Sequence, residues 1–157
     1  MLIEEITTTP NSIKQQLLNC YQQNKWRPHD LDEAQDFDVR FLDSPMFAET
    51  FKQKTSSNPG LANKFEEFKY SKTHNPLQNY GARDYPMIGK GPIGQQVPGI
   101  RHAHLTQDIS VFYTIEGRNP TIIKLYGLFS HADSGTGTPS NIKRQQAVGK
   151  QMKNQVF

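Results

Sequence analysis

Residues 100–130 read IRHAHLTQDISVFYTIEGRNPTIIKLYGLFS. Three segments in this run, 100–105, 109–115 and 121–130, are rich in β-branched and aromatic residues, the composition that suits a pleated, half-buried surface. The short polar connections TQD and EGRNP separate them, which predicts an antiparallel meander. Upstream, residues 79–99 hold five glycines and three prolines, and they read as one long loop. Before it, Leu61, Phe65 and Phe68 recur at helical spacing and predict a helix over about 61–72. SSNPG at 56–60 breaks the chain, and Ser44 can cap a helix near 45–55. A short strand is expected at Val39–Leu42. Downstream, HADSGTGTPS at 131–140 reads as a polar loop. It leads to a basic helix, 141–156, with a thin apolar stripe of Ile142, Met152 and Val156 that predicts loose packing or a partner. The expected fold is α+β: a helix pair on one face of a small antiparallel sheet, with an N-terminal helical extension and a C-terminal helix.

The chain has 157 residues and 34% hydrophobic residues. Its length suits one domain with a real core. No apolar run approaches the ~18 residues of a membrane span. The start, MLIEEITTTP, carries acids where an export signal carries bases, which predicts a cytoplasmic protein. A single cysteine, Cys20, excludes an internal disulfide and a cysteine-rich zinc site. The net charge of +3 conceals an asymmetry. Residues 1–38 hold three bases against seven acids, and residues 39–157 hold fifteen bases against eight acids. The expected organisation is therefore an acidic extension, 1–38, with a helix at 10–25 and a linker at 27–38, followed by a basic body, 39–157. A basic body suits a polyanionic partner, most simply nucleic acid. GKG at 89–91 lacks the spacing of a phosphate-binding loop, so nucleotide binding is not expected.

Four histidines stand where chemistry could use them. His102 and His104 alternate on one strand face. His131 follows the last strand, and His74 sits where the second helix gives way to the loop. Asp108 shares the parity of His102 and His104 if the strand continues through the turn. One chemistry for such a set is metal binding, with His131, His74 or Asp108 as third ligand. The other is metal-free acid–base work, since imidazole titrates near neutrality. On RNA, a base would deprotonate the 2′-OH, the oxyanion would attack the adjacent phosphorus, and an acid would protonate the departing 5′-oxygen. Arg101, of opposite parity, is a candidate cation. Tyr113 is a candidate stacking group, as is Phe129.

These segments resemble the RelE/ParE superfamily of bacterial toxins. Arg101, Ala103, His104 and Asp108 are similar to an Arg-x-Ala-His segment followed by Asp in the YafQ branch. Ser130, His131 and Ala132 resemble the end of that branch's last strand, and His74, Pro76, Leu77 and Gln78 a further upstream segment. The His102, His104, Leu105 run is similar to the YafO branch. The resemblance covers roughly 39–157. It implies a ribosome-dependent mRNA endoribonuclease that inhibits translation, uses no metal or cofactor, and is neutralised by a cognate antitoxin. It implies His74, His104, Asp108 and His131 as the catalytic group. Two positions depart from the YafQ pattern: Ile109 stands for a Trp, and Gly127 for an Arg. A stacking group is then expected from Tyr113 or Tyr126, and a cation from Arg101 or Lys124, with His102 as a further substrate contact. The alternatives are a ParE-like gyrase inhibitor, a non-catalytic RNA- or ribosome-binding module, and a zinc hydrolase.

Overall fold

The computed structural model describes residues 38–87 and 91–157. The helix expected at 10–25, and residues 27–37 of the expected linker, lie outside the described residues. The order of elements is β1 (Val39–Asp43), α1 (Pro45–Ser57), α2 (Leu61–His74), β2 (Asp84–Pro86), α3 (Pro92–Gln96), β3 (Arg101–His104), β4 (Ser110–Glu116), β5 (Thr121–Phe129), α4 (His131–Ser134) and α5 (Ile142–Lys153). The class is α+β, as expected. Among the described residues no helix is long and apolar enough to cross a membrane.

Local chemistry explains the helix pair. Ser44 Oγ accepts the Phe47 N–H at 3.0 Å, and Pro45 opens α1 with its φ already helical. The Asn58 N–H closes that helix on Lys54 O, and Pro59–Gly60 turns the chain into α2. Phe47, Phe51, Phe65 and Phe68 then interlock at 5.2–6.0 Å between ring centres. Their cluster extends onto the sheet through Tyr113, Val111, Ile123, Leu125 and Leu128.

The five-stranded sheet runs β1-β5-β4-β3-β2. The meander β3-β4-β5 forms antiparallel, as expected. The sheet is mixed rather than purely antiparallel, because β1 pairs parallel to β5, with Val39 opposite Thr121. Ser44 makes that junction: its N–H donates to Leu125 O at 3.1 Å, and its hydroxyl donates to Tyr126 O at 3.2 Å. A bulge interrupts the β4–β5 ladder. Phe112 opposes Gly127 but Tyr113 opposes Leu125, which leaves Tyr126 as the extra residue. It lets the run LYGLF send Leu125 and Leu128 to the helix pair and Tyr126 and Phe129 to the other face.

That second face corrects two expectations. The long loop 79–99 contains both a short edge strand, β2, and a helical turn, α3. The last helix does not pack loosely on Ile142, Met152 and Val156. Ile142 and Val156 are exposed, whereas Gln145, Val148, Gly149 and Met152 are buried. They close a second core with Ile93, Val97, Ile100, Phe112, Tyr126 and Phe129. Gly149 permits the approach of α3, because a Cβ there would stand 3.2 Å from Pro92 O and 3.1 Å from Gln96.

Candidate active site

β2 pairs antiparallel with β3 so that Asp84 opposes Ala103 and Tyr85 opposes His102. One step further, the His104 N–H donates to Arg83 O at 2.9 Å. Strand alternation therefore sends Asp84, Ala103 and Arg101 toward the helix pair, and Arg83, Tyr85, His102 and His104 toward the second face. There α3 and α5 cover β4 and β5 but leave the β2–β3 end open. The result is a cleft of about 360 Å³ whose walls include Arg83, Tyr85, Met87, His102, His104 and His131.

His102 and His104 have ring centres 5.4 Å apart, and His104 and His131 5.6 Å. His102 stacks on Phe112 at 5.6 Å and receives Tyr85 edge-on at 4.7 Å. His131 begins α4, where Ser130 and Asp133 form a reciprocal capping box. Asp133 also pairs with Lys54 of α1, so the histidine is anchored to the helix layer. Burial would raise the Asp133 pKa, but hydrogen bonds from Lys54 and Ser130 outweigh it and hold the carboxyl below its ordinary range. Asp108 accepts the His131 N–H at 3.0 Å, and the same carboxylate oxygen lies 3.4 Å from Nδ1. Thr106 Oγ1 in turn accepts the Asp108 and Ile109 N–H groups at 3.2 and 2.9 Å. Gly137 lies directly over His131: a Cβ there would stand 2.8 Å from the His131 Cβ.

Burial pushes the His102 pKa down to about 4, helped by the neighbouring His104. His104 is also lowered, by burial first and then by Arg83. Both rings are therefore neutral at pH 7. Among the described residues, no group of three or more His, Cys, Asp or Glu side chains is arranged to hold a metal ion.

Of the residues singled out from sequence, His102, His104 and His131 converge, and Asp108 reaches His131. Asp108 does so from a turn, not by strand parity. His74 is buried at the end of α2 and is not part of the cleft wall. Arg101 points to the opposite face. Its guanidinium donates to the Tyr113 hydroxyl, Asn79 Oδ1 and Asp84 O, each at 3.2 Å. Tyr113 is wholly buried, so no base can stack on it. Its hydroxyl donates to Asp84 Oδ1 at 2.5 Å, and burial followed by the Asp84 charge pushes its pKa far up. Lys124 pairs with Glu116 at 2.8 Å, away from the cleft. Tyr126 is buried and packs edge-on against Phe157 at 4.8 Å. Parity removes Arg101 and Tyr113 from the cleft face, and distance along β5 and packing remove Lys124 and Tyr126.

Arg83 and Tyr85 were not legible as site residues. They sit in a Gly/Pro-rich run, on a three-residue strand ending in Pro86. The one available signal is the alternation Arg-Asp-Tyr, too short to establish a period. Behind them Asp84 is fully buried. It accepts Lys72 Nζ at 2.7 Å, the Tyr80 N–H at 2.8 Å and the Tyr113 hydroxyl, with Arg101 at 3.6 Å. Lys72 Nζ also donates to Gln78 O at 2.7 Å. Burial lowers the Lys72 pKa against the opposing hydrogen bond to Asp84.

No protein-family model and no curated protein matches the sequence. Among solved structures, the chain is similar to a YoeB/ParE toxin from Agrobacterium tumefaciens. The identity is 10% and the TM-score 0.47, over 60% of this chain and 99% of that one. It is also similar to the E. coli DinJ–YafQ toxin–antitoxin complex, at 17% identity and TM-score 0.46, over 62% of this chain and 94% of that one. A copper-bound mutant toxin from Helicobacter pylori matches at 15% identity and TM-score 0.42, over 61% of this chain and 96% of that one. At such identities no site chemistry transfers from these proteins. The chemistry of this cleft rests on its own side chains.

Proposed function

We propose that this chain is a bacterial toxin of the RelE/ParE type that cleaves mRNA on the ribosome, and that an antitoxin protein neutralises it. The observation that carries the reading is the pairing of His104 and His131 across one cleft, 5.6 Å apart, with Asp108 behind the second ring. Two imidazoles at that separation can serve the two oxygens of one phosphodiester.

The residues divide the work as follows. His104, neutral at pH 7, takes the proton of the 2′-OH. The 2′-oxygen attacks the adjacent phosphorus, the P–O5′ bond breaks, and a 2′,3′-cyclic phosphate forms. His131 gives its proton to the departing 5′-oxygen. Asp108 holds the His131 backbone N–H and lies 3.4 Å from Nδ1, so Nε2 is the nitrogen assigned to the transfer. DNA cannot follow this route, because it lacks the 2′-OH. His74 has no part in it.

The test is a reconstituted translation reaction with mapping of mRNA 5′-ends. Wild type should cut, and His104→Ala and His131→Ala should each lower the rate by about 10²-fold or more. A wild-type chain that leaves mRNA intact refutes the function. Normal cutting by both variants refutes the site.

A further inference from the structure

The cleft has an acid, a base and a wall of unusual construction. β2 has only three residues, yet its first residue, Asp84, is held by a buried network drawn from α2, the following loop, β3 and β4. A buried ion pair is weak support for stability, but it restricts position strongly. What it positions is the pair flanking Asp84. Arg83 stands opposite His104, and Tyr85 opposite His102, on the cleft side.

Arg83 is exposed, and among the described residues its guanidinium makes no hydrogen bond and no ion pair. Lys54, Lys72, Arg101, Lys124 and Arg144 are all engaged with protein oxygens. Tyr85 is 42% exposed, with its ring braced by His102. β5 offers no substitute. Gly127 opposes Phe112, and the Phe129 ring folds over it so closely that a Cβ at 127 would stand 2.5 Å from a ring carbon.

We propose that the β2 edge is the substrate-gripping element of this cleft. Arg83 takes a phosphate beside the scissile bond, and Tyr85 stacks on a neighbouring base of single-stranded RNA. This rests on the ribonuclease reading above and assigns its substrate contacts. A guanidinium matches two phosphate oxygens at once, and an exposed ring accepts any base face. The Arg83 charge serves a second purpose at the same place, because it disfavours a proton on His104 and so keeps the base ready.

The experiment measures binding apart from cleavage. A short RNA, 2′-O-methylated throughout and therefore uncleavable, is titrated with the full chain by fluorescence anisotropy across a salt series. Arg83→Ala should weaken binding about tenfold at low salt and reduce the slope of log K against log salt by about 0.7, the share of one phosphate on a single strand. Arg83→Lys should keep the slope. Tyr85→Ala should weaken binding about fivefold or more with the slope unchanged, and Tyr85→Phe should bind as wild type does. An unchanged slope in Arg83→Ala, or equal losses in Tyr85→Phe and Tyr85→Ala, overturns the assignment, as does a wild type that fails to bind. Cleavage of unmodified mRNA in the translation reaction is scored separately. Binding that follows these expectations without any cleavage upholds the β2 contacts and refutes the nuclease reading. Cleavage with an unchanged Arg83→Ala slope does the reverse.

Discussion

Acid should weaken this fold, with His102 as the leading ring and His104 acting in the same direction. The His102 pKa is about 4 in the folded chain, against 6.5 for a solvated histidine. Between those values the unfolded chain binds a proton that the folded chain refuses, so stability falls as the pH falls. At about 1.36 kcal/mol per pH unit, the loss reaches at most about 2 kcal/mol by pH 5 and about 3 kcal/mol by pH 4. Burial is the leading cause, and His104, His131 and Arg83 act in the same direction, while Asp84 opposes them. His102→Phe removes the titration and keeps a flat ring against Phe112 and Tyr85. Urea unfolding at pH 7 and pH 5 measures the effect. Wild type should lose about 2 kcal/mol more than His102→Phe on acidification. Parallel losses would mean that His102 titrates normally and is not desolvated in the cleft wall. The same depression bears on function, since a ring neutral down to about pH 4 cannot be the proton donor at neutral pH.

Asp84→Asn should destabilise the chain by about 3–5 kcal/mol, because it leaves the Lys72 ammonium in the core without its counter-charge. Adding Lys72→Met should recover part of that loss in chemical unfolding, and strictly additive losses would contradict the coupling. Gly127→Ala should cost about 1–3 kcal/mol, because its Cβ meets the Phe129 ring. Phe129→Leu in the same chain should relieve part of the strain, and a melting temperature unmoved by Gly127→Ala would show that the ring yields freely.

Much of the fold is legible because it is local. The meander announces itself by β-branched runs and short turns, and the helix pair by Ser44, the Pro59–Gly60 break and the Leu61, Phe65, Phe68 spacing. The His102–His104 face follows from alternation alone. The elements that escape are those too short to show a period, β2 and α3, and the one place where the period changes, the bulge at Tyr126. That bulge explains why the aromatics of β5 resist assignment: adjacent apolar residues serve opposite cores. Tyr113 and Arg101 look available in the chain, but their parity sends them to the helix side, where they support Asp84.

By itself the amino-acid order determined which strand neighbours share a face, where the helix pair starts and stops, and that His131 follows the last strand. These follow from backbone geometry within a few residues. Only the tertiary structure decided which face remains open, that Asp108 meets His131 across 23 residues of sequence, and that Arg83 and Tyr85 join the histidines. Those outcomes depend on long-range pairing. A three-residue strand has too few ladder bonds to announce its partner in the sequence; in the fold the buried Lys72–Asp84 contact ties it to α2, and the packing of α3 and α5 leaves the β2–β3 end of the second face uncovered.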